Sequence, residues 1–231
     1  IHIIDLHKSI VKIDEAANVM KQLARSGRKI LFVATKKQAK EIVAEKAASV
    51  NMPYVTERWA GGMLTNFPTI RKAVKKMNTI DKMIEDGTFD TLAKRERLQI
   101  TRQRAKLEKN LGSIKDLSRL PSALFVVDVQ KEANAVKEAN RLNIPVIAMV
   151  DTCCDPTPID YVIPANDDAA KSIAYILDKL CEAVNEGLNE RKLEKDKETP
   201  EAGEEKAAVA GGKKIRPRKG AKAEAEAETE E

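Results

Sequence analysis

The sequence predicts an α/β protein built on a three-layer, doubly wound parallel sheet of five strands in the flavodoxin-like order 2-1-3-4-5. Short apolar segments rich in β-branched residues alternate with segments of helical periodicity. Most of these apolar segments lack the alternating pattern of a half-exposed strand, as expected for strands that are buried on both faces. The second and third predicted strands are separated by residues 59–122, far more than a crossover needs, which predicts an insertion.

Five segments have the composition of buried strands. They are residues 29–35, 53–58, 123–129, 145–151 and 160–165. Helical patterns precede the first strand and follow the first, third and fifth strands. Because strands and helices alternate, the crossovers are expected to be right-handed and to place helices on both faces of the sheet.

The insertion, residues 65–120, predicts an antiparallel helical hairpin of the coiled-coil type. Apolar residues recur at spacings of three and four in both of its helices, and DGTFD, residues 86–90, predicts the turn between them. Arg97 and Arg104 fall near the apolar stripe of the second helix, where long side chains can carry their charge outward to water.

Charge is unevenly distributed along the chain. Residues 65–120 contain 14 lysines and arginines against seven acidic residues, whereas residues 121–194 contain seven against 13. This asymmetry favours a polyanionic partner on the basic side, although a solvated surface would give the same count. The predicted domains are therefore an α/β domain of residues 1–64 and 121–194, the basic hairpin of residues 65–120, and a charged tail of residues 195–231. We expect this tail to be disordered because it has almost no core-forming residues.

Several classes of protein are disfavoured. The three cysteines, Cys153, Cys154 and Cys181, match neither a disulfide framework nor a paired zinc motif. No apolar run approaches the roughly 20 residues of a membrane span, and the first residues do not have the pattern of a secretion signal. We therefore expect a cytoplasmic protein without a metal or another cofactor.

An enzyme is the alternative prediction. Lys36, Asp128 and Asp151 follow predicted strands, and doubly wound proteins bind ligands at the carboxyl ends of their strands. These residues could serve phosphoryl transfer or nucleotide binding. However, no glycine-rich phosphate motif follows the first strand, and the aspartates are also typical caps of helices and turns.

The segment RWAGGMLTNF, residues 58–67, links the second strand to the first inserted helix. Gly61 and Gly62 permit close approach of another backbone, and the N–H groups at a helix N-terminus can bind phosphate. Arg58 adds a permanent bidentate donor. A purely mechanical role is the other interpretation, with Trp59 packed under a hinge that the glycines form.

A protruding basic hairpin suits the phosphates of a folded RNA better than a nucleotide-sized ligand. Aromatic residues make up 3% of the chain, which argues against recognition of single strands by base stacking. We predict no catalytic residue. The predicted RNA-binding residues are Lys36, Lys37, Arg58, Trp59, Gly61, Gly62, Thr65, Asn66, Arg71, Lys72, Lys75, Lys76, Lys94, Arg95, Arg97, Arg102, Arg104, Lys106 and Lys109.

The chain resembles the bacterial small-subunit ribosomal protein S-two family. The matching stretches include KILFVATKKQA, MPYVTERWAGGMLTNFPTIRK, LEKNLGSIKD, LPSALFVVDV, EANRLNIPVIAMVDTCCDP and DYVIPANDDA, and the string RW-x-GG-x-LTN is highly specific. The resemblance implies a non-enzymatic protein of the small subunit that binds 16S rRNA beside neighbouring ribosomal proteins. It also implies docking of the mRNA-binding ribosomal protein S-one. Family members usually begin earlier, with an HFGH-like motif, so contacts of that segment are not carried over.

Overall fold

The computed structural model describes the backbone of residues 2–210 and the side chains of residues 2–194. Its strands form one five-stranded sheet in the order β2-β1-β3-β4-β5, and every neighbouring pair is parallel. The predicted strand order is therefore confirmed. The strands are β1 (Ile30–Val33), β2 (Tyr54–Val55), β3 (Ala123–Val127), β4 (Val146–Val150) and β5 (Tyr161–Pro164).

Helices occupy the connections between the strands and the segments on either side of the sheet. Within residues 2–210 they are α1 (Leu6–Arg25), α2 (Lys37–Ser49), α3 (Phe67–Glu85), α4 (Lys94–Leu111), α5 (Ala133–Arg141) and α6 (Ala170–Ala210). Two short 3-10 helices, Thr88–Thr91 and Gly112–Ile114, follow α3 and α4 respectively.

The central strands β1, β3 and β4 are buried on both faces, whereas β2 and β5 at the sheet edges are partly exposed. Successive side chains of a strand point in opposite directions, so each central strand contributes to two cores. Ile30 and Phe32 of β1 belong to one apolar core, whereas Leu31 and Val33 belong to the other. Within the first core, the rings of Phe32 and Phe125 lie 5.3 Å apart in a tilted arrangement. This double burial explains why the strands read as unbroken apolar runs.

Helices cover both faces, so the predicted three-layer architecture is confirmed. Buried residues of α1, α2 and α6, such as Met20, Val43 and Leu177, line the first core. The second core is lined by α5 and α3, for example through Val136 and Val74. The inserted helices thus pack on the same face of the sheet as α5.

The long connection between β2 and β3 contains α3 and α4. Helix α3 buries Val74, Met77 and Ile80, as its apolar periodicity predicts. In α4 the buried residue is Leu111 alone, because most of this helix is charged or polar. A regular coiled-coil seam between the two helices therefore stays a prediction.

Residues 1–192 form one compact unit, and the predicted boundaries between sheet domain and hairpin remain predictions. The backbone of α6 is helical as far as Ala210, in a segment for which the sequence predicts disorder. The expectation of disorder rests on the lack of core-forming residues and stays a prediction. Residues 211–231 of the predicted tail lie outside the described residues.

Candidate nucleic-acid interface

The loop between β2 and α3 is anchored to α5 by one carboxylate. Trp59 Nε1 donates a hydrogen bond of 3.0 Å to Glu138 Oε1, which also accepts the backbone N–H of Gly62 at 2.7 Å. The second oxygen, Oε2, accepts from Leu64 N at 2.9 Å, Thr65 N at 3.1 Å and Thr65 Oγ1 at 3.2 Å. Glu138 therefore accepts five hydrogen bonds, which use the acceptor capacity of both its oxygens.

The electrostatics of Glu138 agree with this geometry. Burial by itself raises the pKa of the Glu138 carboxyl. The hydrogen bonds from Leu64, Trp59, Thr65 and Gly62 together lower this pKa by more than burial raises it, so it lies below its ordinary value. The carboxylate form is thus the form that the loop selects.

This arrangement corrects one expectation from the sequence. The backbone N–H groups of Gly62, Leu64 and Thr65 are not free to bind an external phosphate, because a carboxylate of the same chain already occupies them. Gly62 has a φ of 83°, a left-handed conformation that glycine adopts without strain. The mechanical interpretation of the loop is therefore the one that its hydrogen bonds support.

Lys36 lies at the carboxyl end of β1, where both the RNA-binding prediction and the enzyme alternative placed it. Its Nζ is 3.2 Å from Asp128, 2.9 Å from Asp167 and 2.7 Å from Asp168, and its side chain is 13% exposed. Burial acts to lower the pKa of Lys36, but hydrogen bonds to these three carboxylates raise it above its ordinary value. Lys36 is therefore an internal cation with three anionic partners, whereas its neighbour Lys37 is exposed.

The predicted cations of α3 and α4 fall into two groups. Members of the first group contact other parts of the chain. Arg104 Nε donates to Asp81 Oδ1 at 2.5 Å, and Arg71 Nη1 donates to the Leu117 carbonyl at 2.9 Å. The other two members are Arg97, 3.7 Å from Asp90, and Lys109, 3.4 Å from Glu57.

The second group faces outward. In the described part of the chain, its side chains show neither an ion pair nor a hydrogen bond, and all are exposed. They are Lys72, Lys75, Lys76, Lys94, Arg95, Arg102 and Lys106, joined near the loop by Arg58. Their charge is exposed to solvent and is not compensated by an ion pair within the described residues.

Helical geometry explains the division. Successive residues of a helix are rotated by about 100°, which places Lys72, Lys75 and Lys76 opposite the buried Val74 and Met77. In α4 the same rotation places Arg97 and Arg104 on the side of Leu111. The sequence identified the two arginines as unusual, but their acidic partners become visible only in the folded chain.

Sequence reasoning missed the residues that hold the site together. Glu138 is separated from the loop that it anchors by more than 70 positions, and Asp81 was not assigned to Arg104. Nothing in their local sequence distinguishes these carboxylates from other acidic residues of helices.

No helix among the described residues combines the length and apolar character required to cross a membrane. Likewise, their histidine, cysteine and acidic side chains form no group of three or more suited to hold a metal ion.

Comparison with known proteins identifies the family. The family model described as ribosomal protein S2 matches residues 1–187. The chain is 70% identical to the small ribosomal subunit protein uS2 of Parabacteroides distasonis, over 95% of this chain and 80% of that protein. The protein of the same name from Phocaeicola vulgatus is 69% identical over 98% of this chain and 81% of its own length. The match in Bacteroides fragilis is 73% identical over 84% of this chain and 70% of that protein. The chain belongs to the ribosomal protein S2 family.

Proposed function

We propose that the chain binds the phosphates of small-subunit rRNA through the unpaired cations of α3 and α4. Membership of the ribosomal protein S2 family makes it a structural constituent of the small ribosomal subunit, which acts in translation. Its partners are accordingly rRNA and neighbouring proteins of that subunit.

The proposal depends on the difference between cations that have a partner within the chain and cations that have none. A lysine or arginine that contacts a carboxylate of its own chain gains little from a phosphate, whereas an unpaired cation releases counterions from RNA when it binds. Lys72, Lys75 and Lys76 are such cations and share one face of α3. Arg95, Arg102 and Lys106 share the outer face of α4. Close to the sheet, Lys37 and Arg58 are available in the same way.

Incorporation into particles tests the proposal. The variant Lys72→Gln/Lys75→Gln/Lys76→Gln is expected to reduce the amount of tagged protein that sediments with small subunits at high salt by more than about tenfold. A loss of roughly 1.4 kcal/mol is enough for a tenfold change in affinity. The matched control is Lys131→Gln/Lys137→Gln/Arg141→Gln, which removes the same charge from the acidic half of the chain. Equal incorporation of the two triple variants would refute the proposal.

The enzyme alternative is wrong. The family consists of ribosomal proteins, and the chain belongs to it over residues 1–187. The structure supplies a physical reason for the misleading pattern: Lys36 and Asp128 face each other because they form an internal ion pair at the sheet edge. Charged residues at this edge therefore pair with one another within the chain.

The acidic half of the chain, residues 121–194, is proposed to face protein neighbours, among them ribosomal protein S-one. Its excess of acidic residues supports this assignment, because like charge repels rRNA. Chemical crosslinking of small subunits offers the test. Crosslinks from Lys171 and Lys179 to S-one are expected, and crosslinks from these lysines to rRNA alone would contradict the assignment.

A further inference from the structure

A cavity of about 390 Å³ lies between the loop before α3 and the two inserted helices. Its floor includes Ala60, Ile70 and Leu107, which are partly buried against the second core. Polar side chains at its edge are Arg58, Lys106 and Asn110. Its size falls in the range of roughly 300–1,000 Å³ that is typical of sites for small organic groups.

The edge of this cavity lacks internal partners. Among the described residues, Arg58, Lys106 and Asn110 have no side-chain hydrogen bond or ion pair. The nearby Lys109, by contrast, contacts Glu57. Two uncompensated cations and an amide thus surround an apolar floor, and this combination matches a ligand with an anionic group, a polar edge and an apolar face.

We propose that the cavity accepts one unstacked nucleotide of the rRNA. The base would lie on the aliphatic floor and present its polar edge to the Asn110 amide, while Arg58 and Lys106 contact its phosphate. The proposal rests on the proposed function, because it requires that rRNA lies along α3 and α4. It goes further by assigning recognition of an individual base to a chain that has few aromatic residues for stacking.

Gly61 provides a way to close the cavity without disturbing the fold. It lines the cavity, it is exposed, and a Cβ added to it meets no atom within 4 Å. A leucine at this position is therefore expected to narrow the cavity, whereas an alanine adds only one methyl group in open space.

Base-specific chemical probing of the rRNA in small subunits tests the proposal. With the natural chain or Gly61→Ala, one unpaired nucleotide is expected to be protected. With Gly61→Leu, the reactivity of that nucleotide should rise about tenfold, the change that corresponds to a loss of roughly 1.4 kcal/mol. The double variant Arg58→Gln/Lys106→Gln should raise the reactivity of the same nucleotide. It tests the proposal if the Gly61→Leu protein is not incorporated into particles.

Two results would overturn the proposal. One is an unchanged reactivity pattern in particles that contain the Gly61→Leu or the double variant at full occupancy. The other is a photocrosslink from a reactive side chain at position 61 to a neighbouring protein, which would mean that an apolar protein group fills the cavity. A separate measurement tests the phosphate contacts of α3. Sedimentation of the variant Lys72→Gln/Lys75→Gln/Lys76→Gln reports on those contacts, whereas base reactivity reports on the cavity.

Discussion

Individual carboxylates and one lysine determine how the loops at the sheet edge are held. Glu138 joins α5 to the loop before α3, and Lys36 joins the end of β1 to Asp128 and to the segment before α6. In both places a charged group is surrounded by several partners of its own chain. Removal of the central group leaves its less exposed partners, such as Leu64 N and Asp167, unsatisfied, which costs more than an ordinary surface substitution.

Glu138→Gln is expected to lower the free energy of unfolding by about 2 kcal/mol, because the amide turns an N–H donor toward the N–H donors of the loop. Urea unfolding at pH 7 measures this. The control Glu41→Gln makes the same chemical change on the exposed surface of α2 and should leave the midpoint unchanged.

The pH dependence of the Glu138 contribution has a defined sign. The pKa of Glu138 is lower in the folded chain than in the unfolded chain, where it is about 4.3. Its stabilisation is therefore fully present above the unfolded value and is lost as the pH falls through the folded value. The difference between the natural chain and Glu138→Gln should stay constant from about pH 7 to pH 5.5 and narrow below about pH 4. A difference that widens in acid would contradict the assignment.

Lys36→Met is expected to lower the free energy of unfolding at pH 7 by about 3 kcal/mol, because it leaves Asp167 and Asp128 without their cation. Burial already raises the pKa of Asp167, and hydrogen bonding to Lys36 acts to lower it. Loss of the lysine therefore favours the protonated carboxyl, and the instability of the variant should diminish as the pH falls from 7 toward 4. Thermal or urea unfolding measures both effects.

Lys37→Met is the matched control, since Lys37 is the next residue along the chain and is exposed. Its stability should equal that of the natural chain at every pH. If the two methionine variants behaved alike, the ion cluster around Lys36 would have no role in stability.

Among the helices, α3 and α4 are joined by a polar cluster in addition to the apolar residues that both contribute to the second core. Asp81 of α3 accepts a hydrogen bond from Arg104 of α4 and lies 3.3 Å from Lys115 Nζ. The hydrogen bond from Arg104, with a further contribution from Lys115, lowers the pKa of Asp81 although burial opposes this shift. Because α4 has a single buried residue, Leu111, we expect this cluster to contribute to its attachment.

Asp81→Asn is therefore expected to weaken the attachment of α4 by about 1 kcal/mol, which raises the exchange rate of α4 amide hydrogens about fivefold. Hydrogen exchange detected by mass spectrometry measures this for α4 separately from the sheet. Asp90→Asn is the comparison variant. Asp90 forms a longer and more exposed ion pair, because its carboxylate lies 3.7 Å from Arg97 and its side chain is 82% exposed. Exposed pairs of this kind contribute little. Equal exchange rates in the two variants would refute the role of Asp81.

For the whole molecule, the relevant property is the separation of charge between the inserted helices and the acidic half. The net charge of the chain is only +5, yet among the described residues the outer faces of α3 and α4 carry a group of exposed cations that have no internal partner. Binding to RNA through such a surface depends strongly on salt, because each phosphate contact releases counterions.

The lysine triple variant of α3 is accordingly expected to reduce the slope of log affinity against log salt by about two to three. Filter binding of the purified chain to small-subunit rRNA between 50 and 200 mM salt is a suitable measurement. The control variant Lys131→Gln/Lys137→Gln/Arg141→Gln should keep the slope of the natural chain. Parallel slopes for all three proteins would show that Lys72, Lys75 and Lys76 do not contact phosphate.

The sequence by itself determined the five strands, the three layers and the outward faces of the inserted helices. These features follow from local composition and periodicity, which are properties of neighbouring residues. The strand order was predicted from the fold class that they indicate, and the tertiary structure confirms it. Only the tertiary structure decided which cations are available. Lys36 and Asp167, Glu138 and Gly62, and Arg104 and Asp81 meet across wide separations in the chain. A carboxylate acts within a few ångströms in space, so its partner is defined by the fold and not by its position in the sequence.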